Sequence, residues 1–274
     1  MGLLLRASGA RVVYDSHEDL PRAILSKFWI RPVLRRAVAG LSEAVEDFVV
    51  RRLSAVVAAT PHIAARFARQ NPRAVAINNY PLLSELEAAL HTRPHARSFC
   101  YIGGIGRIRG VVEMVAALDR VDARLILAGS FDNEQSEAAV RALPAWSKVD
   151  YRGQVPRSEA RRIMSESCAG LVFFHPEPNH VDAQPNKIFE YMSAGLPVLA
   201  SDFPLWRQLV VASGAGHCAD PLDVQAIADC MRKVLDQPEA AAQMGLRGRE
   251  AVQSRFHWGH EERRLLALYQ ELMA

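Results

Sequence analysis

From Phe99 onward, short apolar runs alternate with tracts of helical spacing. FCYIGG (99–104), RLILAG (124–129), KVDYRG (148–153), GLVFF (170–174), Pro197 to Asp202 and GHCAD (216–220) read as strands. Between them lie helical tracts at Gly110 to Val121, Asn133 to Leu143, Arg157 to Ser167, within 182–202, and at Asp223 to Asp236. Strands alternating with helices of about ten residues build right-handed βαβ units around a parallel sheet. The pattern therefore predicts an α/β protein in which residues 99–254 form one complete, doubly wound, Rossmann-like C-terminal domain.

The first 83 residues carry a different pattern. One strand, RVVYDSHE (11–18), precedes a long helical tract and two short strands, AVVAAT (55–60) and AVAINN (74–79). A doubly wound domain needs about 100–150 residues, so 1–83 reads as a partial N-terminal Rossmann-like domain, its back half. GLLLRASG (2–9) reads as the end of a helix. Residues 84–98, rich in Pro, His and charge, are the predicted linker. At the far end Leu265, Leu266, Leu268, Tyr269 and Leu272 fall at helical spacing, predicting a last helix within 255–274.

Bulk composition narrows the classes. Thirty-three basic against 30 acidic residues leave a formal charge of +3, too mild to indicate nucleic-acid binding. The four cysteines, Cys100, Cys168, Cys218 and Cys230, are dispersed, and neither a zinc site nor a disulfide framework is predicted; reduced thiols in a cytoplasmic protein are expected. No apolar run approaches the ~20 residues that cross a bilayer, and no cluster has metal-ligand spacing. Between Pro21 and Ser42 there are Arg22, Lys27, Arg31, Arg35 and Arg36 and no acid, interleaved with Ile24, Leu25, Phe28, Trp29, Ile30, Val33 and Leu34. Such a tract fits an anionic membrane surface, where each basic group contributes about 1 kcal/mol. It equally fits a partly buried helix pair with a solvated face.

The candidate chemistry centres on Asp182 to Asp202. Pro185 is expected as the first residue of a short helix that Gly195 and Pro197 stop. Lys187 and Glu190 then share one face. A cation in the first turn opposes the helix dipole by about 0.3–1 kcal/mol, a penalty that a bound anion reverses. A solvated ion pair is the alternative, but Lys preceding Glu is its weaker orientation. A site for a polyanion and hydroxyl groups is thus predicted. The turn after FCYI runs G-x-G-x-x-R from Gly104, so the third glycine of a dinucleotide fingerprint is not in place. Gly103 and Gly104 are instead expected to let backbone amides approach phosphate at the start of the following helix. Gly129 with Ser130, and Gln154 with Val155, lie at strand ends where backbone could reach phosphate and base. His175, Asn179 and His180 lie in a Pro-broken loop before the key helix.

Taken together, YDSHE, YIGGIGRIRG, LAG and PNKIFEYMSAGLPVLASDFP resemble a family 4 retaining glycosyltransferase of the GT-B fold. The resemblance implies two facing Rossmann-like domains, with a sugar nucleotide of UDP or GDP type in the C-terminal one and the acceptor on the N-terminal one. It also implies no metal or other cofactor, and a C-terminal helix crossing back to the N-terminal domain. Glu190 matches the second acid of the family's E-x7-E signature and would take the ribose hydroxyls. Asp182 stands at the first and would face the donor sugar. Lys187 matches a cation directed at the diphosphate, with Asn186 beside it among the donor-binding residues. In the Gly-rich turn the family's usual Arg is Gly104 here and its usual Lys is Arg109, so Arg109, with Arg107 by displacement, must supply the charge. His17 matches a histidine near the donor sugar. The implied catalytic set is His17, Arg109 and Lys187, acting by orientation and charge balance. The implied activity is transfer of a sugar to a glycan or lipid-linked acceptor in cell-surface polysaccharide or lipopolysaccharide synthesis, at the inner face of the plasma membrane. The alternative is a catalytically inactive sugar-nucleotide-binding subunit whose open N-domain sheet edge takes strands from a partner chain or a second copy.

Overall fold

The computed structural model describes residues 1–27, 29–86 and 97–274. The chain divides into one unit made of Met1–Tyr80, Glu177–Ala183 and Trp258–Ala274, and a second made of Pro81–Pro176 and Gln184–His257.

The second unit is built on six parallel strands: β4 (Ser98–Ile102), β5 (Arg124–Ala128), β6 (Val149–Gly153), β7 (Ala169–Val172), β8 (Val198–Ser201) and β9 (Gly216–Ala219). Their order is β6-β5-β4-β7-β8-β9. The chain thus moves outward from β4 in one direction, then returns to lay β7 on the other side. That reversal opens a crevice at the C-terminal ends of β4 and β7, where doubly wound sheets bind ligands. Phe99, Tyr101, Leu125, Leu127, Leu171 and Val172 are fully buried, because helices cover both faces of a parallel sheet.

The Asn186–Ser193 helix is fixed to this crevice by a hydrogen bond and a close glycine contact. Tyr191 is buried, and its hydroxyl accepts the Ile102 N–H at 3.0 Å, tying the helix to the end of β4. A Cβ on Gly170 of β7 would overlap the Tyr191 ring. At the helix end Gly195 has φ +72°; its N–H donates to the Met192 carbonyl (3.0 Å) and that of Leu196 to the Tyr191 carbonyl (2.9 Å), the paired bonds of a Schellman cap. The helix begins at Asn186, with Pro185 in the cap position before it, one residue later than the sequence suggests. The Pro238–Ser254 helix, not anticipated, rests on this cap. Gly245 lies where a Cβ would overlap the Gly195 carbonyl, and Gly248 packs on Met192 and Ala215. Its buried side is Ala241, Gly245, Gly248, Ala251 and Val252, so close backbone approach replaces an apolar stripe.

In the first unit β1 (Val13–Ser16), β2 (Ala55–Ala58) and β3 (Ala74–Ala76) form a parallel sheet in that order. One core joins Val56 and Ala58 to Val50, Ile63 and Phe67; the other joins Ala55 and Val57 to Leu268 and Leu272 of the Trp258–Met273 helix. Glu261 of that helix is buried and accepts the Asn78 N–H at 2.9 Å.

Three expectations need correction. Residues 99–254 are not one body: Glu177–Ala183 groups with the first unit, where the Ser26 hydroxyl donates to Asn179 at 2.9 Å. The predicted linker is partly structured, since Leu83–Leu86 is helical and Ser98 already belongs to β4; residues 87–96 lie outside the described residues. The basic tract divides. Its first part is a buried helix pair, with Pro21 and Ile24 inside and Arg22 Nη1 2.7 Å from Glu43 Oε1, whereas Val33 and Leu34 of the Pro32–Val50 helix are exposed. Phe28 lies outside the described residues. Among the described residues no helix is long and apolar enough to cross a membrane.

Gly170→Ala is expected to force the Tyr191 ring aside and to lower stability by about 1–3 kcal/mol. A urea unfolding curve with an unchanged midpoint would show that the ring does not pack there.

Candidate functional site at the sheet switch point

Strand β4 runs into Gly103, which has φ +127°. A Cβ on Gly129, after β5, would overlap the Gly103 carbonyl, so these two turns meet backbone to backbone. The Gly103 N–H donates to the Ala128 carbonyl at 2.8 Å. Its amide is therefore engaged with β5, contrary to the expectation that it approaches a phosphate. Nor do Gly103 and Gly104 open the next helix. A 3₁₀ turn, Arg107–Arg109, and Gly110 intervene before the Val111–Ala117 helix. Gly110 (φ +70°) sits where a Cβ would overlap the Phe173 carbonyl.

What the glycines provide is room for cations. Lys187 Nζ lies 2.5 Å from the position a Gly103 Cβ would take, and Arg109 Nε 3.8 Å from that of Gly104. Both cations face Phe174: the Arg109 guanidinium carbon is 5.2 Å and Lys187 Nζ 5.8 Å from its ring centroid. Lys187 Nζ is also 5.2 Å from the centre of Tyr101, whose hydroxyl donates to the Gly104 carbonyl at 2.6 Å. Burial, then the neighbouring Arg109 charge, push Lys187 down to about 8, against the opposing pull of Glu190. Burial raises Tyr101 to about 12. Two neighbouring cations of which one is partly desolvated disfavour each other's charge, and an anion between them would relieve both terms. Perturbed groups in a crevice are what functional sites contain, although aromatic faces also hold cations for structure alone.

The flanking loops are clasped together. The His175 N–H donates to the Ile108 carbonyl at 2.9 Å. His175 Nε2 lies 3.1 Å from Glu113 Oε2, with both side chains largely buried. This fixes the turn carrying Arg109 to the end of β7. Tyr101, Glu113 and Phe174 escaped sequence reasoning because each reads as ordinary core or helix-face chemistry until the strand order brings them together.

Other predicted residues fall as follows. Glu190 is exposed, close enough to Lys187 for its charge to act on it. Asn186 and Arg107 are exposed and Val155 half-buried. The Gly129 N–H donates to the Gly153 carbonyl at 2.7 Å and its carbonyl accepts the Tyr151 hydroxyl at 3.1 Å. His17 and Asp182 belong to the first unit: exposed His17 has Nε2 3.4 Å from Asp15 Oδ2, and Asp182 Oδ2 lies 3.5 Å from His62 Nδ1. Among the described residues no group of three His, Cys, Asp or Glu is arranged to hold a metal ion.

The sequence model of the family described as "Glycosyl transferase-like" matches residues 107–267. The chain belongs to this family. It is 25% identical over 183 residues to glycogen synthase of Mycobacterium tuberculosis, and 29% identical over 189 residues to alpha-maltose-1-phosphate synthase of Mycolicibacterium smegmatis. Those alignments cover 62% and 64% of this chain but only 42% and 48% of the relatives' lengths. Among solved structures it resembles sucrose-phosphate synthase from Thermosynechococcus elongatus (TM-score 0.73, 20% identity, 99% of this chain and 70% of that one). It also resembles Anabaena HepE in complex with UDP (TM-score 0.78, 16% identity, 98% and 75%). At these identities the likeness establishes an α/β fold of GT-B glycosyltransferase type.

Lys187 has a pH signature. Its folded value, about 8, lies below the ordinary 10.5, so between these limits the unfolded chain binds the extra proton and Lys187 makes the fold more stable as pH rises. Thermal unfolding at both ends of the window should show a gain in the parent protein that Lys187→Met lacks. Equal gains in both proteins would contradict the assignment.

Proposed function

We propose that the chain is a retaining glycosyltransferase that takes a nucleotide-diphosphate sugar at the β4–β7 crevice. The observation that carries this reading is the convergence of Arg109 and Lys187 at the Gly103–Gly104 turn, both within cation–π distance of Phe174. In it the two cations stabilise the charge that gathers on the departing nucleoside diphosphate. Glu190 accepts from two vicinal ribose hydroxyls, a task suited to a carboxylate. Val155 and Asn186 complete the donor contacts. The attacking hydroxyl enters on the face from which the diphosphate leaves, so no carboxylate nucleophile is needed, and the protein contributes orientation and charge balance. No metal takes part, and donor binding is indifferent to chelators. HepE has been solved with UDP and with UDP-glucose, which makes UDP the first donor to test.

The acceptor in this reading is a glycan or a lipid-linked glycan of cell-surface polysaccharide or lipopolysaccharide synthesis, met at the inner face of the plasma membrane by a cytoplasmic protein. A second reading is a sugar-nucleotide-binding subunit that needs a partner. It is favoured by one observation: β1 is an edge strand of a three-stranded sheet, and such an edge can take another strand. UDP binding without hydrolysis or transfer of any UDP-sugar would select it.

Isothermal titration with UDP tests the donor site. Glu190→Ala and Lys187→Ala should each weaken binding by about 1–3 kcal/mol, the cost of losing a charged hydrogen bond and stranding its partner. Affinity unchanged in both variants would move the nucleotide elsewhere.

A further inference from the structure

The chain has 33 basic residues, yet lysine stands at four positions, Lys27, Lys148, Lys187 and Lys233. They are placed very differently. Lys27 Nζ lies 4.9 Å from the centre of the Trp29 ring, and Lys233 is exposed. Lys148 Nζ donates to the Leu118 and Val121 carbonyls at 2.6 and 3.0 Å. Lys187 Nζ instead faces the Tyr101 and Phe174 rings, and among the described residues it makes no hydrogen bond or ion pair. An arginine fork fits a phosphate bidentately but does not lose its proton in proteins. In a chain that uses arginine almost everywhere, a lysine in the crevice adds what arginine lacks, a neutral and nucleophilic form.

A lysine amine becomes a nucleophile near neutral pH when it is desolvated or stands beside another cation. Lys187 meets both conditions, since it is half-buried against two rings and the Arg109 charge acts on it. At its value of about 8, roughly a quarter of the amine is neutral at pH 7.5, against about one part in a thousand for a lysine at the ordinary 10.5. The approach is open on the turn side because Gly103 has no side chain: a Cβ there would lie 2.5 Å from Nζ. Arg109 Nε lies 3.8 Å from the equivalent position on the next residue, Gly104. An amine able to attack and a permanent cation able to hold a phosphate therefore flank the same turn.

We infer that Lys187 is an acylation site, at which a small acyl phosphate, held through its phosphate by Arg109, transfers its acyl group to the amine. The neutral nitrogen attacks the carbonyl carbon, and the bond from that carbon to the bridging oxygen breaks. Phosphate leaves with the electron pair, and the proton shed by the nitrogen passes to it. The product is a neutral amide, so one of the two cations at the turn is lost and the crevice holds a diphosphate less well. The modification thus turns the site off in proportion to the acyl phosphate present. This goes beyond the proposed donor site but rests with it on the crevice taking phosphate.

The test is incubation of the full chain with acetyl phosphate, with the acetylation rate of each lysine followed by peptide mass spectrometry, alongside UDP titration before and after treatment. Lys187 should react about tenfold or more faster than Lys27 and Lys233. Saturating inorganic pyrophosphate should slow Lys187 by about tenfold or more while leaving Lys27 and Lys233 unchanged, and Arg109→Gln should slow it likewise. The acetylated protein should bind UDP about tenfold or more weakly, the loss of one charged contact, whereas Lys187→Arg should show the same UDP affinity before and after treatment. Lys187 reacting no faster than Lys27 and Lys233, or at a rate that pyrophosphate does not change, would overturn the inference. Both of these are read on the parent protein, so neither depends on a variant folding. UDP binding that Lys187→Ala weakens, with Lys187 unreactive toward acetyl phosphate, would remove the acylation site and leave the donor site standing. Rapid, pyrophosphate-sensitive acetylation in a protein that does not bind UDP would keep the acylation site and remove the donor reading.

Discussion

The structure of the candidate site depends on two positions having no side chain. Lys187 Nζ lies where a Cβ on Gly103 would have to be accommodated, and Arg109 lies against the corresponding space at Gly104. Each glycine thus exchanges a side chain for a cation at the end of β4. The cations gain aromatic faces from Tyr101 and Phe174, but they also lose water and repel one another, and the lowered Lys187 value records this. An anion placed between them would oppose both effects.

The fold supplies the geometry that makes this exchange work. The strand order brings β4 and β7 side by side, so the turn bearing Arg109 and the helix bearing Lys187 leave adjacent strands from the same end. Gly129 and Gly110 let those turns pack on backbone, and the Tyr191 hydroxyl on the Ile102 N–H sets the helix against the end of β4. The His175–Glu113 contact closes the arrangement on its outer side. Position here is held by backbone contacts and buried rings, the pre-organisation that the proposed balancing of charge on a departing diphosphate requires.

Much of this was legible in the sequence, and the exceptions have identifiable causes. The alternation of apolar runs and helical tracts announces each strand of the second unit because strands buried on both faces need unbroken apolar sequence. Lys187 and Glu190 stand out because a cation in a first turn works against the helix dipole. The Pro238–Ser254 helix did not, because glycine and alanine make its contact and leave little periodicity. The role of Gly103 was misread since composition cannot tell an amide free to bind phosphate from one already bonded to a neighbouring strand. The grouping of Glu177–Ala183 with the first unit was hidden for a related reason, as it rests on polar contacts such as Ser26 to Asn179 between residues far apart in sequence.

The most direct test of the account is a crystal structure with UDP bound. It should place the diphosphate within hydrogen-bond distance of Lys187 Nζ and the Arg109 guanidinium, with the ribose hydroxyls on Glu190. A nucleotide bound away from the Gly103–Gly104 turn, or a diphosphate held by backbone amides with Lys187 and Arg109 unchanged and out of reach, would contradict it.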